Sequence, residues 1–334
     1  VIFTNHERFK LLSDGIIETT RTFFVGEPLM LRKVLAAALS NGHVLFEDNP
    51  GLGKTLLAKV FAKAVGCDWK RIQFTPDLMP ADIIGTRVWN GTEFTVEKGP
   101  VFTNVLLADE INRSPPKTQS ALLETMEEKQ VTIEGTTYKL SRPFFVIATQ
   151  NPIELEGTFP LPEAQLDRFL LKMSMGYVKS LELENEILRR RIRWTTDDPT
   201  ENIQPAVVQG DFLEMQHLVE NSVYVDEQIL QYINQIVRAT RTHPAVEVGS
   251  SPRGGLSLLK VARAYAATGG RDFVTPDDVK ALAKEALSHR IIMKMEYEIE
   301  GKVTADNVVE EVVNKIEPPK NFMKSGKQVG ESTV

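Results

Sequence analysis

Between residues 43 and 177 the apolar positions fall in short runs separated by segments of helical spacing. His43-Val-Leu-Phe-Glu47, Arg71-Ile-Gln-Phe74, Val105-Leu-Leu-Ala108 and Phe144-Phe-Val-Ile-Ala148 are short, apolar and mostly flanked by turn or polar residues. They predict buried parallel strands. Thr55 to Val65 places Leu56, Val60, Phe61 and Ala64 on one helical face, with Gly66 as its stop. Ser114 is the expected N-cap of another helix, with Pro115 at its first position and Leu122, Leu123 and Met126 as its buried stripe. Alternation of this kind predicts an α/β fold with a central parallel sheet and flanking helices. Two hairpins interrupt it. One spans 86–96 and turns at Asn90-Gly91; the other spans 130–140 and turns at Glu134-Gly135.

After about residue 180 the period becomes helical. Helices are expected over 181–192 and near 212–221, 226–241, 254–268 and 276–289, with Thr275 capping the last. The polar, proline-containing stretch 195–210 reads as a linker. The patterns divide the chain into an α/β domain over 1–177, an α-helical domain over 178–317 and a flexible tail over 318–334.

Composition narrows the class. Of 334 residues, 42% are hydrophobic and 25% charged, which excludes a disordered chain, a collagen-like chain and a coiled-coil rod. The net charge of −6 argues against a protein that coats DNA. The single cysteine, Cys67, excludes an intramolecular disulfide and any cysteine-built metal site. The five histidines are scattered, and no apolar run reaches the ~18 residues of a membrane span. The first ten residues carry His6, Glu7 and Arg8 rather than an apolar signal core, and without an initiator Met the chain reads as trimmed. A soluble, cytoplasmic protein without membrane insertion is expected.

The chemistry lies where strands end. Pro50-Gly-Leu-Gly-Lys-Thr55 sits between an apolar strand and an amphipathic helix. Glycines there let backbone N–H groups converge on phosphate oxygens. Lys54 can reach β- and γ-phosphates, and Thr55 can bind Mg²⁺. The helix N-terminus adds its dipole and free donors. The first position of the general pattern is Asp48 rather than glycine. Val105-Leu-Leu-Ala-Asp-Glu110 ends a strand in two carboxylates, Asp109 for the Mg²⁺ shell and Glu110 to polarise an attacking water. A guanine-reading Asn-Lys-x-Asp signature is absent, which favours ATP. Ile147-Ala-Thr-Gln-Asn-Pro152 delivers Asn151 to the same sheet edge, where it could reach γ-phosphate and water.

These segments resemble the MoxR-type AAA+ ATPases. The resemblance runs through 47–55, 108–124, Gln150-Asn151-Pro152, Leu-Pro-Glu-Ala-Gln-Leu-Asp-Arg-Phe (161–169) and Ser-Pro-Arg-Gly (251–254). It implies a P-loop core followed by a smaller all-helical lid, with ATP as ligand and Mg²⁺ as cofactor. Asn49, Pro50, Gly51, Leu52, Gly53, Lys54, Thr55 and Leu56 would hold the phosphates, and Val25 and Gly26 would lie near the adenine. Asn151 resembles the first sensor residue and Arg253 the second. Arg168 resembles an arginine finger that acts on a neighbouring subunit's nucleotide. The two hairpins match insertions that face a pore or a partner. A ring, usually of six subunits, is implied. So is chaperone-like remodelling or maturation of a client enzyme complex, with a separate chain carrying a von Willebrand factor A domain. A metal-chelatase motor subunit and a DNA-associated motor are the alternatives, although no nucleic-acid module is visible. Arg189, Arg190, Arg191 and Arg193 read as a solvated helix face. Trp89 and Phe94 read either as client contacts or as the hairpin's own small core.

Overall fold

The computed structural model describes residues 5–152, 157–178, 180–196 and 198–325. The chain forms two compact units, residues 12–214 and residues 1–11 with 215–334, of which 326–334 lie outside the described residues.

The larger unit is built on a five-stranded sheet. Its elements run α1 (Asn5–Phe23), α2 (Pro28–Leu39), β1 (Val44–Glu47), α3 (Lys54–Ala64), β2 (Trp69–Gln73), α4 (Pro80–Ile84), β3 (Gly85–Trp89), β4 (Phe94–Lys98) and β5 (Val105–Asp109). They continue with α5 (Pro116–Glu128), β6 (Gln130–Ile133), β7 (Thr136–Lys139), β8 (Phe145–Gln150), α6 (Glu163–Leu166), β9 (Leu171–Met173) and α7 (Leu181–Trp194). The strand order is β2-β5-β8-β1-β9 and every pairing is parallel. Leu45, Leu106, Ala108, Val146 and Ala148 are buried, as strands covered on both faces require. β1, β8 and β5 lie side by side, so the loops leaving their carboxyl ends share one edge of the sheet.

Both hairpins form. The second turns in two residues, Glu134 (φ 44°) and Gly135 (φ 83°), as the sequence predicts. The first turns through four, because the Asn90 side chain accepts from the N–H groups of Thr92 and Glu93 and holds a wider loop. Trp89 and Phe94 face each other across it at 5.1 Å between ring centroids and remain exposed. The helix expected to start at Pro115 starts one residue later, with Pro115 as N-cap and Ser114 outside it. Proline's lack of an N–H makes either position tolerable.

The expected division at 177/178 differs from the compact units, which divide near residue 214. The reason lies in α7. Trp194 stacks on Phe23 with centroids 6.1 Å apart, and Arg190 donates to the carbonyls of Arg21 (2.7 Å) and Thr22 (3.1 Å). The expected linker is also fastened. Asp198 pairs with Lys59, the Thr200 carbonyl accepts from Lys63 at 2.6 Å, and Ala206 N–H donates to the Ala64 carbonyl at 2.9 Å. The Lys59 ammonium and the Thr200 hydroxyl hold the Asp198 carboxyl down at about 2.

His43 directly precedes β1 and is buried. Its Nδ1 accepts from the Val146 N–H at 3.0 Å, and its Nε2 lies 3.2 Å from the Met126 carbonyl. Both bonds need the neutral ring with its proton on Nε2. Burial, helped by the charge of Lys129, drops its pKa from 6.5 to about 3. Between those values the unfolded chain takes up a proton that the folded chain refuses. Stability therefore falls as pH falls, by about 1.4 kcal/mol per unit below 6.5. Denaturant unfolding at pH 6.5 and 4.5 should show the His43→Gln variant losing about 2 kcal/mol less than wild type over that interval. Equal losses would remove His43 from the acid response.

The second unit continues from α8 (Gln209–Ser222), inside which the division falls, as it also does inside α1. It holds α9 (Glu227–Thr242), β10 (Val246–Val248), α10 (Pro252–Thr268), α11 (Pro276–Leu287), β11 (Ile292–Met293), α12 (Met295–Glu300) and α13 (Ala305–Lys315). Thr275 caps α11 in a reciprocal box with Asp278, whose buried carboxylate takes a two-pronged bond from Arg271 at 2.6 Å on each side. Part of the expected tail is pinned, since Met323 N–H donates to Asp226 at 3.0 Å; the rest of it, 326–334, lies outside the described residues.

Candidate functional site

The loop from Asp48 to Gly53 joins β1 to α3. Gly51 and Gly53 take φ of +84° and +83°, the left-handed region where a side chain is strained. Gly53 caps α3, and the helix's first internal bond runs from Leu57 N–H to the Gly53 carbonyl at 2.9 Å. The N–H groups of Lys54, Thr55 and Leu56 precede it, which makes this end an anion site by construction. Lys54 Nζ donates to the Asp48 carbonyl at 2.7 Å. Burial lowers the Lys54 pKa, opposed by the charges of Asp48, Asp109 and Glu110, so three carboxylates converge on this ammonium.

β5 ends at Asp109, and Glu110 follows in left-handed backbone with φ 57° and ψ 50°. A non-glycine residue held there marks stored strain of the kind that gathers at working sites. Thr149, at the end of β8, locks the pair. Its hydroxyl donates to Asp109 Oδ1 at 2.6 Å and accepts from Glu110 N–H at 2.8 Å. Arg71 on β2 donates to Asp109 Oδ2 at 2.7 Å and to Gln73 at 2.6 Å. Gln73 in turn donates to Glu110 Oε2 at 2.6 Å, and Arg113 Nε lies 3.1 Å from the same oxygen. Arg71, Gln73, Arg113 and Thr149 received no role from the sequence. Arg71 and Gln73 alternate on an edge strand and look like a solvated face. Only the register that sets Gln73 opposite Asp109 reveals them. Asn151 follows β8 and is buried, and its carbonyl accepts from Asn112 Nδ2 at 3.3 Å.

A cavity of about 820 Å³ opens beside the loop, within the larger unit. That is a size ordinary for small-molecule sites. Val25 and Gly26 form part of one wall; Pro50, Gly51, Leu52 and Gly53 form the loop side, with Leu56 beyond. The buried Phe24 ring packs under Gly26 and would sit 3.3 Å from any Cβ on Gly53, so it joins the two walls. The segment leaving β9 and the inner face of α7 complete the enclosure, including Tyr177, Ile187 and Trp194. Asn49 Nδ2 donates to the Tyr177 hydroxyl at 3.3 Å.

The structure thus brings Val25, Gly26, the loop 49–56, Asp109, Glu110 and Asn151 to one region. Of the two remaining expected residues, Arg168 shares the larger unit and Arg253 does not. Arg168 lies beside Glu127 on α5, Nε to Oε2 3.2 Å, in a surface cluster with Glu124, Glu128 and Gln165. Arg253 is on the first turn of α10 in the other unit, where its N–H donates to the N-cap Ser251. Arg190 departs from the solvated-face reading of the arginine cluster, since it pairs with Glu186 at 2.9 Å, donates to the carbonyls of Arg21 and Thr22 and lines the cavity, while Arg189, Arg191 and Arg193 are exposed.

The donors suit a phosphate-bound Mg²⁺. Thr55 and Asp109 supply one hydroxyl and one carboxylate, and this ion ordinarily takes one or two protein oxygens with phosphate and water completing its shell. Among the described residues no cluster of three or more His, Cys, Asp or Glu has the arrangement of a metal centre.

Comparison with known proteins agrees with this geometry. Residues 43–171 match the ATPase family associated with various cellular activities (AAA), and residues 238–312 match the AAA lid domain. The chain is 47% identical over 305 residues to YeaC of Bacillus subtilis (strain 168), a protein described as uncharacterized, covering 91% of this chain and 93% of that one. It is 43% identical over 313 residues to the chaperone MoxR1 of Mycobacterium tuberculosis, covering 90% and 79%. A crystal structure of a candidate ATPase from Cytophaga hutchinsonii superposes with a TM-score of 0.87 at 41% identity, covering 94% and 97%.

Proposed function

Because this chain belongs to the MoxR-type AAA+ ATPases, we propose that it binds ATP at the β1–α3 loop and hydrolyses it to remodel a partner protein complex. One observation carries the reading. An ammonium, the Thr149-locked pair Asp109 and Glu110 and a helix N-terminus lie at the carboxyl ends of adjacent parallel strands, beside a cavity able to hold a base. In this reading residues 12–214 carry the nucleotide chemistry and the helices that follow act as lid.

Asn49, Pro50, Gly51, Leu52 and Gly53 turn the backbone toward the polyphosphate, with the N–H groups of Lys54, Thr55 and Leu56 behind them. Lys54 leaves the Asp48 carbonyl for β- and γ-oxygens. Val25 and Gly26 border the base. Thr55 and Asp109 would hold Mg²⁺, which when bound neutralises charge on the phosphates. Glu110 orients and polarises the attacking water, and Asn151 aligns that water with the γ-phosphate. Arg253 contributes from the helical unit.

Arg168 acts in trans, on the nucleotide of the next subunit in a ring, where a guanidinium would spread transition-state charge. Its position beside Glu127, outside its own chain's cavity, supports that role. A ring of six fits head-to-tail packing of one asymmetric surface on another. The chaperone name of one relative supports remodelling as the work done. A cytoplasmic setting and a partner with a von Willebrand factor A domain on a separate chain complete the proposal. No helix among the described residues is long and apolar enough to cross a membrane.

Phosphate release measured against protein concentration tests hydrolysis and assembly together. Turnover per chain should rise with concentration as the ring forms. Arg168→Ala chains should release little phosphate alone, on the order of 10³-fold less. Mixed with Lys54→Ala chains they should regain part of it, since each supplies what the other lacks. Turnover that stays negligible at every concentration sinks the hydrolase reading; absence of rescue sinks the trans role.

A further inference from the structure

Asp48 occupies the place where the general phosphate-loop pattern carries its first glycine, and none of the roles above uses its side chain. Asp48 is 5% exposed. Oδ1 accepts from Ser174 Oγ at 2.6 Å and from Gly176 N–H at 3.3 Å, and Oδ2 accepts from Met175 N–H at 2.7 Å. A carboxylate withdrawn from water is costly unless such donors surround it. Here they come from a segment 126 to 128 residues further along the chain.

That segment leaves β9 and forms one wall of the cavity. Ser174, Met175, Gly176 and Tyr177 all line it. The backbone of the same aspartate serves the other side. Its carbonyl receives Lys54 Nζ at 2.7 Å, and its N–H donates to the Gln150 carbonyl at 3.2 Å, one residue before Asn151. One residue thus ties the phosphate-side lysine and the β8 end by its main chain to a wall of the cavity by its side chain. Asn49, next in sequence, adds a second tie to Tyr177.

We propose that Asp48 is a positioning residue that couples the phosphate loop to the wall facing the nucleoside, and so sets how tightly base and ribose are held. The inference rests on the nucleotide-binding reading. A carboxylate is required because its two oxygens accept from three donors. In Asp48→Asn the amide NH₂ must face either Met175 N–H or Gly176 N–H, donor against donor, although the Ser174 hydroxyl can turn to accept. At least one tie is lost in either orientation.

Calorimetric titration of the full chain with ADP and with inorganic tripolyphosphate, both with Mg²⁺, separates the two ends of the ligand. Asp48→Asn should raise the Kd for ADP about tenfold relative to that for tripolyphosphate, or ~1.4 kcal/mol, because the charge it removes acts on both polyanions alike. Ser174→Ala, which removes one donor and leaves the charge, should show the same split at about threefold; it carries the test if Asp48→Asn does not fold. A role confined to loop stability would weaken both ligands together, and that result overturns the proposal. So does a ratio of the two Kd values unchanged in both variants. Wild-type protein that binds neither ligand overturns the nucleotide reading itself, and this proposal with it.

Discussion

Lys54→Ala should weaken ATP binding by on the order of 100-fold while leaving the ligand-free protein as stable as wild type, or more so. The first half follows from charge. Lys54 is the ammonium on which Asp48, Asp109 and Glu110 converge, and without it a polyanion meets three carboxylates with only N–H groups to receive it. A hydrogen bond to a charged group contributes about 1.5–3 kcal/mol, and the added repulsion takes the loss to about 3 kcal/mol, or 100-fold in Kd. The second half follows from the lowered Lys54 pKa, whose first cause is burial. Burial opposes the charged form, so the folded chain accepts this charge less readily than the unfolded chain does. Stability from this side chain grows as pH rises through the lowered folded value toward 10.5, where neutral lysine is accepted more readily folded than unfolded. Thermal unfolding with and without ATP checks both halves. An alanine variant that still gains wild-type stabilisation from ATP would remove Lys54 from the phosphates. One that melts well below wild type without ligand would recast it as structural.

Glu110→Gln should keep ATP affinity within a few-fold and reduce turnover at least 100-fold, the usual lower range for loss of a general base. The amide has nearly the carboxylate's shape and can still accept from Gln73, so the strained left-handed backbone is retained. The negative charge proposed to polarise water, which also pairs with Arg113, is lost. Single-turnover hydrolysis and nucleotide binding on the same preparation separate the two effects. Turnover within threefold of wild type would assign the water to another group. A parallel loss of binding would mean that the charge mainly organises Arg113 and the loop. The same variant, charged with ATP, is the natural bait for the proposed partner complex.

The engine of this fold was largely legible because its signals are local. A strand, a glycine turn and a helix occur within 43–65, and the run into Asp109 and Glu110 is apolar to its last residues. Helices α2 and α13 carried no reading, although α2 is buried along nearly its whole length. In α2 only Arg32 and Lys33 break an otherwise apolar run, which hides the period, whereas in α13 Val308, Val309, Val312 and Val313 do carry it. β9 is three residues long, too short for any pattern. The second ring of contacts was hidden for another reason. Thr149 beside Asp109, Gln73 beside Glu110 and Ser174 beside Asp48 are juxtapositions that only the strand order creates. The linker over 195–210 read as loose by composition, because the lysines that fasten it lie on a helix more than a hundred residues earlier.

The strand order has a further consequence, for solubility. An open parallel sheet leaves two outer strands, each able to recruit a strand from another molecule. On one side the border is β9, and three residues give an incoming strand little to pair with. On the other it is β2, where Lys70 and Arg71 stand adjacent and exposed. An apolar replacement at Arg71 would therefore do more than release Asp109. It would strip one of the two exposed charges that this border presents to an incoming strand.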